Sequence, residues 1–65
     1  MNRTKIEKIV KAMCERGFMN GWFGDTSEEF QQEQVDRLLA LSPLERAEWF
    51  ERNRFNIEMY CGIQL

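Results

Sequence analysis

The sequence predicts an all-α fold, a small three-helix bundle with helices at about 4–16, 27–41 and 43–61 and a loop rich in glycine and aromatic residues at 17–25. Three observations predict it. Apolar residues recur every three or four positions, capping residues precede each segment, and glycine or proline residues separate the segments. The 65 residues are expected to form one domain, 1–65, because so short a chain cannot enclose two hydrophobic cores.

The first helix is predicted from a capping pair and a glycine stop. Thr4 and Glu7 have the spacing of a capping box, in which the hydroxyl and the glutamate each accept a hydrogen bond from a backbone N–H. Gly17 is expected to end the helix in the left-handed conformation. Between them lie apolar residues with the spacing of one buried helix face: Ile6, Ile9, Val10 and Met13.

The second and third helices are predicted from the same signals. Thr26 and Glu29 repeat the capping-box spacing, and the second helix has an apolar stripe of its own. The third helix has the clearest start, because Ser42, Pro43 and Glu45 supply a cap, a proline at the first helical position and a glutamate at the third. The stripe of the second helix consists of Phe30, Val35, Leu38 and Leu39.

The C-terminal third of the third helix is harder to predict. Residues 54–60 alternate polar and apolar side chains, which is typical of a strand. Since a lone strand would have no mate within the chain, a helix with an irregular C-terminal third is favoured. It should end at Gly62, with residues 63–65 as a tail. A helical wheel groups the apolar residues of this helix in one broad arc: Leu44, Ala47, Phe50, Ile57 and Cys61.

Composition excludes several classes of function. With 9 basic and 11 acidic residues the net charge is −2, which argues against electrostatic binding of nucleic acid. No stretch approaches the roughly 18 apolar residues of a membrane span. The absence of histidine removes the commonest general base and the commonest metal ligand. The protein is therefore predicted to be no enzyme, to hold no metal or cofactor and to contact no membrane.

The two cysteines indicate a reducing compartment. Cys14 and Cys61 match no zinc or redox motif, and a secreted domain of this size usually carries two to four disulfides. Residues 1–16 alternate charged and apolar side chains and so do not resemble a signal peptide. A cytoplasmic location is predicted, with both thiols reduced and serving as small buried side chains.

Charge is unevenly distributed, with a net +3 in residues 1–16, −4 in 17–42 and −1 in 43–65. The favoured interpretation is that the first two helices pack antiparallel with complementary surfaces. The alternative is a patch on the first helix that docks an acidic protein or nucleic acid: Arg3, Lys5, Lys8 and Lys11. A DNA-reading helix-turn-helix is disfavoured, because the first turns of the third helix, 43–48, are acidic and apolar.

Large apolar side chains suggest the function. Eight aromatic residues and four methionines exceed what one small core can hold, and exposed apolar patches mark interaction sites. The predicted function is a non-enzymatic protein-interaction module, an accessory regulator or inhibitor of the phage or plasmid type, with a homodimer as one form of the contact. The alternative is a nucleic-acid-binding regulator that uses the basic first helix. The candidate partner-binding residues are Trp22, Phe23, Trp49, Phe55, Met59 and Tyr60.

Overall fold

A computed structural model describes residues 1–18 and 27–65. These residues fold into a small helical bundle, which confirms the predicted all-α class. Of the predicted loop at 17–25, residues 19–25 lie outside the described residues. Within residues 1–18 and 27–65, three α-helices and a short π-helical turn follow one another: α1 (Arg3–Glu15), α2 (Glu28–Ala40), α3 (Pro43–Arg52) and the π turn (Asn56–Tyr60).

Helix α1 begins with a different cap from the predicted one. The side-chain carbonyl of Asn2 accepts a hydrogen bond from the backbone N–H of Lys5 at 2.9 Å. The predicted capping box of Thr4 and Glu7 is therefore wrong, because Thr4 lies inside the helix. Asparagine caps a helix at least as well as threonine does, and the earlier start brings Arg3 into the helix.

Serine residues cap the other two helices. The Ser27 hydroxyl accepts from the backbone N–H of Phe30 at 3.2 Å, whereas the predicted cap Thr26 lies outside the described residues. The predicted capping box of Ser42 and Glu45 is confirmed. The Ser42 hydroxyl accepts from the Glu45 N–H at 3.2 Å, and the Glu45 carboxylate accepts from the Ser42 N–H at 3.4 Å.

The half-buried side chain of Arg46 joins α3 to α2. Its guanidinium donates to the backbone carbonyls of Leu38, Leu39 and Leu41, each at 3.0 Å. The last carbonyls of a helix have no partner within the helix and form the negative pole of its dipole. Arg46 therefore caps the C-terminal end of α2 and holds the first turn of α3 against it.

Helices α1 and α2 pack antiparallel, as their opposite charges suggested. Arg3, at the start of α1, bridges Asp36 near the end of α2 at 3.2 Å. One turn later, Glu7 lines a shallow depression with Glu28 and Gln32, nearer the start of α2. Helix α1 supplies half of the ten buried core side chains among the described residues: Ile6, Ile9, Val10, Met13, Cys14, Val35, Leu38, Phe50, Ile57 and Ile63.

The third helix is not continuous over residues 43–61. Its end is marked by Asn53, whose side-chain amide donates to the Trp49 carbonyl at 2.8 Å, beside the longer bond from its own backbone N–H. Residues 54–55 are helical again and lead into the π turn. The expected irregular C-terminal third is confirmed, and the strand-like pattern forms no strand in the residues described.

The predicted apolar arc of the third helix is partly wrong. Leu44 is 70% exposed, and Ala47 is exposed as well. The inward side instead follows Arg46, Phe50 and Ile57, which are four and seven residues apart. The helical-wheel prediction placed charged residues on the solvent side. Arg46 instead lies on the inward side, because its guanidinium caps the end of α2.

The C-terminal residues are packed and do not form the predicted tail. Gly62 ends the helical segment as expected, with a φ of +68°. Beyond this left-handed turn, Ile63 is only 9% exposed and donates its N–H to the Ile57 carbonyl at 3.2 Å. The Leu65 N–H donates to the Glu58 carboxylate at 3.0 Å. The turn at Gly62 thus folds the last residues back onto the core.

Both cysteines pack within the bundle. Cys14 is fully buried, and Cys61 lies half-buried against the same core without a disulfide between them. This arrangement agrees with the prediction that the cysteines act as small apolar residues. In the part of the chain that the structure describes, no helix has the length and apolarity to cross a bilayer.

Candidate functional site

The candidate residues lie in different environments. Trp22 and Phe23 fall outside the described residues, and Trp49 is half-buried against the core. The C-terminal segment supplies the most exposed candidates: Phe55 (62%), Met59 (68%) and Tyr60 (53%).

Phe18 joins these residues in one exposed apolar cluster. The ring of Tyr60 lies 5.7 Å from Phe55 and 5.8 Å from Phe18, between centroids. Met59 precedes Tyr60 in the π turn, and Phe18 is 40% exposed. The structure therefore brings the end of α1 and the C-terminal segment together at one surface. We call Phe18, Phe55, Met59 and Tyr60 the apolar cluster.

The end of α1 explains the position of Phe18. Gly17 has a φ of +78° and donates its N–H to the Cys14 carbonyl at 3.1 Å, while Phe18 donates to the Met13 carbonyl at 2.9 Å. These two bonds define a Schellman motif, in which the residue after the glycine is often apolar. Phe18 was not among the predicted site residues, although Gly17 pointed to this motif.

The π winding explains why Phe55 and Tyr60 meet. The Cys61 N–H donates to the Asn56 carbonyl at 3.2 Å, a bond that spans five residues. In an α-helix, residues five positions apart project about 140° from each other. The wider turn brings Phe55 and Tyr60 toward the same side, while Ile57 points into the core. Insertions of this kind are often found at functional sites.

An ionic network holds the segment that carries the cluster. Arg54 donates to Glu51 at 3.1 Å and to Glu58 at 3.3 Å, and Glu58 also accepts from the Leu65 N–H. Exposed ion pairs contribute little individually. Here the shared carboxylate of Glu58 connects the π turn to the last residue and so restrains both.

Trp49 belongs to the contact between α2 and α3 and not to the apolar cluster. Its ring meets Phe50 edge-on with centroids 5.1 Å apart, and it lines a depression with Arg37, Leu38 and Leu41. Trp49, although a candidate partner-binding residue by sequence, is therefore half-buried between the two helices. Its placement follows from the inward turn of Arg46, which is three residues earlier.

The Cys61 thiol lies beside the cluster but is not activated. Burial raises the pKa of Cys61, and the nearby Arg16 guanidinium, by its charge and a hydrogen bond, lowers that pKa only in part. A cysteine nucleophile needs a lowered pKa. The contact has structural value, because it places Arg16 next to the segment that carries Tyr60.

Among the described residues, no group of three or more histidine, cysteine or carboxylate side chains could hold a metal ion. No family model, curated protein or solved structure matches this chain. Function is therefore inferred from the geometry of the surface.

Proposed function

We propose that this protein is a small non-enzymatic binding module whose apolar cluster docks on a protein partner. By occupying the partner's surface it would act as an accessory regulator or inhibitor. The observation that supports the proposal is the exposure of Phe18 and Phe55, whose rings both contact that of Tyr60, together with the exposed Met59 beside Tyr60 in the chain.

The size of the cluster is consistent with the centre of an interface. At roughly 200 Å² for each large side chain, its exposed fractions correspond to an area on the order of 400 Å². Patches of about 300–600 Å² on monomers are often functional. Covering this area would contribute about 10 kcal/mol, against an association cost of about 4–15 kcal/mol. The cluster thus needs a polar rim to complete a stable interface.

The chemistry of the cluster also favours a protein partner. Aromatic residues and methionine are enriched at the centres of interfaces, which polar side chains surround. Here the rim is supplied by Arg16 on one side and by the pairs of Arg54 with Glu51 and Glu58 on the other. These groups would exclude water from the apolar centre.

The non-enzymatic part of the proposal is supported by the available side chains. The chain has no histidine, and the pKa of the Cys61 thiol is raised by burial. A cytoplasmic location belongs to the same proposal, because the two cysteines are not joined by a disulfide.

The proposal is tested by selecting a phage-displayed random-peptide library against the immobilised full chain. Peptides selected on the wild type should lose binding to Phe55→Ser by about tenfold or more, because the cluster loses a central ring. Leu44→Ser is the matched control, since Leu44 is equally exposed but lies in the first turn of α3. Equal loss in both variants, or none in Phe55→Ser, would contradict the proposal.

A further inference from the structure

We propose that the docking partner is an acidic amphipathic protein segment, whose apolar residues cover the cluster while its carboxylates lie along a basic track on α1. This inference rests on the proposed function and specifies the chemistry of the partner. The basic track consists of Lys5, Lys8 and Arg16, with Lys11 at its border.

The C-terminal segment aligns the track with the cluster. Tyr60 contacts Phe18 just beyond α1, and Cys61 lies beside Arg16, the C-cap residue of α1. Farther along, residues 62–64 line a depression with Lys5 and Lys8 in the first half of the helix. The segment therefore runs along α1 in the opposite direction, and the track and the cluster form one continuous surface.

The lysine side chains of this surface are available to a partner, and in the described part of the chain Arg16 has only the Cys61 thiol as an internal contact. Lys5, Lys8 and Arg16 are spaced so that they follow one stripe of the helix. None of them, nor Lys11, takes part in an ion pair within the described residues. Arg3 differs, because it bridges Glu7 and Asp36 on the side of α2.

Helix α1 and its C-cap carry five basic residues and two acidic ones, Glu7 and Glu15, so cations are in excess on this helix. From Lys5 to Arg16 the helix rises about 16 Å, and the cluster extends the surface beyond it. A partner segment of roughly four to five helical turns would span both parts. Complementary charge would orient this segment, and the apolar anchors would supply most of the affinity.

Two other occupants fit the surface less well. Nucleic acid is disfavoured because this surface offers four cations, Lys5, Lys8, Lys11 and Arg16, on a chain of net charge −2, so few phosphates would be neutralised. A second copy would have to present its acidic α3 residues, Glu45, Glu48 and Glu51, to the track of the first. Such a contact closes into a dimer only if each copy presents its glutamates to the track of the other at the same time.

The inference is tested with the peptides selected on the wild-type chain. Selected peptides should contain more Asp and Glu than Lys and Arg, beside aromatic or aliphatic anchors. In fluorescence anisotropy, their affinity should fall by about tenfold or more in Lys5→Glu/Lys8→Glu and weaken as salt rises. Arg37→Glu, a single charge reversal on α2, is the control and should change affinity by less than about twofold. Lys5→Gln/Lys8→Gln should give a smaller loss, and circular dichroism shows that each variant is folded.

Each outcome distinguishes the inference from the proposed function. Neutral or basic peptides that still require Phe55 would overturn the acidic partner and leave the docking surface in place. Peptides that bind regardless of Phe55 would contradict both. An oligonucleotide of about 20 thymidines that binds more tightly than the peptides would overturn the inference in favour of nucleic acid. Concentration-dependent self-association abolished by Lys5→Glu/Lys8→Glu would overturn it in favour of a second copy.

Discussion

Arg46 shows how one charged side chain can determine the packing of two helices. Its three hydrogen bonds to α2 carbonyls replace the water that would otherwise solvate that helix end. Because the guanidinium is half-buried, removing it leaves several acceptors without a partner. This role is invisible in a hydropathy pattern, where arginine counts as a surface residue.

Arg46→Gln should therefore lower the free energy of unfolding by about 2–3 kcal/mol, since hydrogen bonds to charged groups are the stronger ones. Arg46→Lys should recover only part of the loss, because a single ammonium cannot reproduce the planar fork of donors. Urea denaturation measures both. Arg52→Gln, an exposed arginine in the last turn of α3, serves as the control. Equal effects at Arg46 and Arg52 would show that the capping contacts contribute nothing.

Alanine substitutions at Trp49 and Phe55 should show by their effect on stability which residue belongs to the core and which to the surface. Trp49 packs against the core, so Trp49→Ala is expected to cost about 3 kcal/mol or more in stability. Phe55 is mostly exposed, so Phe55→Ala should change stability by less than about 1 kcal/mol. Thermal unfolding of the two variants gives the comparison. A large loss of stability in Phe55→Ala would mean that the cluster is part of the core.

At the scale of elements, the local sequence predicted those helix starts that depend on residues close together in the chain. The Ser42–Glu45 box was predictable because cap, proline and glutamate lie within four residues. The π winding and the return of Ile63 to the core depend on contacts with distant parts of the chain, which no local pattern encodes. Phe18 was missed as a site residue for the same reason, since it joins the apolar cluster through its contact with the ring of Tyr60.

The start of α1 gives a direct test of the observed cap. Asn2→Ala should destabilise the protein by about 1 kcal/mol, because the Lys5 N–H loses its acceptor. Thr4→Ala should be neutral or slightly stabilising, since alanine is the better residue inside a helix. Parallel urea denaturation of the two variants distinguishes them. The reverse order would restore Thr4 as the cap.

The last residues should behave as part of the core. Ile63→Ala is expected to cost about 2–4 kcal/mol in stability, because it removes a buried side chain from the end of the bundle. Gln64→Ala, at an exposed neighbouring position, is the control and should change stability by less than about 0.5 kcal/mol. Thermal melts that coincide for both variants would show that residues 63–65 are the free tail that the sequence suggested.

At the scale of the whole molecule, the bundle combines a small core with a surface divided by charge. Half of the core side chains among the described residues come from α1, whose other side carries the basic track. One helix thus organises the interior and also offers the charged part of the proposed docking surface. The apolar cluster adds the anchor, at the point where the end of α1 meets the π turn.

The free chain should be monomeric in this account. The cluster exposes roughly half of the approximately 800 Å² per partner that a stable interface buries, so it is too small to hold two copies together by itself. Sedimentation equilibrium at micromolar concentration should return a mass near 7.8 kDa. A dimer that dissociates in Phe55→Ser would show that the cluster is covered by a second copy, as the predicted homodimer would require.

The most direct test of the central claim is to map a bound peptide on the full chain by nitrogen–proton correlation spectroscopy. A peptide selected on the wild type is titrated into the isotope-labelled protein, and backbone shifts are followed residue by residue. The account predicts the largest shifts at Phe18 and residues 55–61, with smaller ones along the basic track of α1. Shifts confined to α2 and the first turn of α3, with the apolar cluster unchanged, would contradict it.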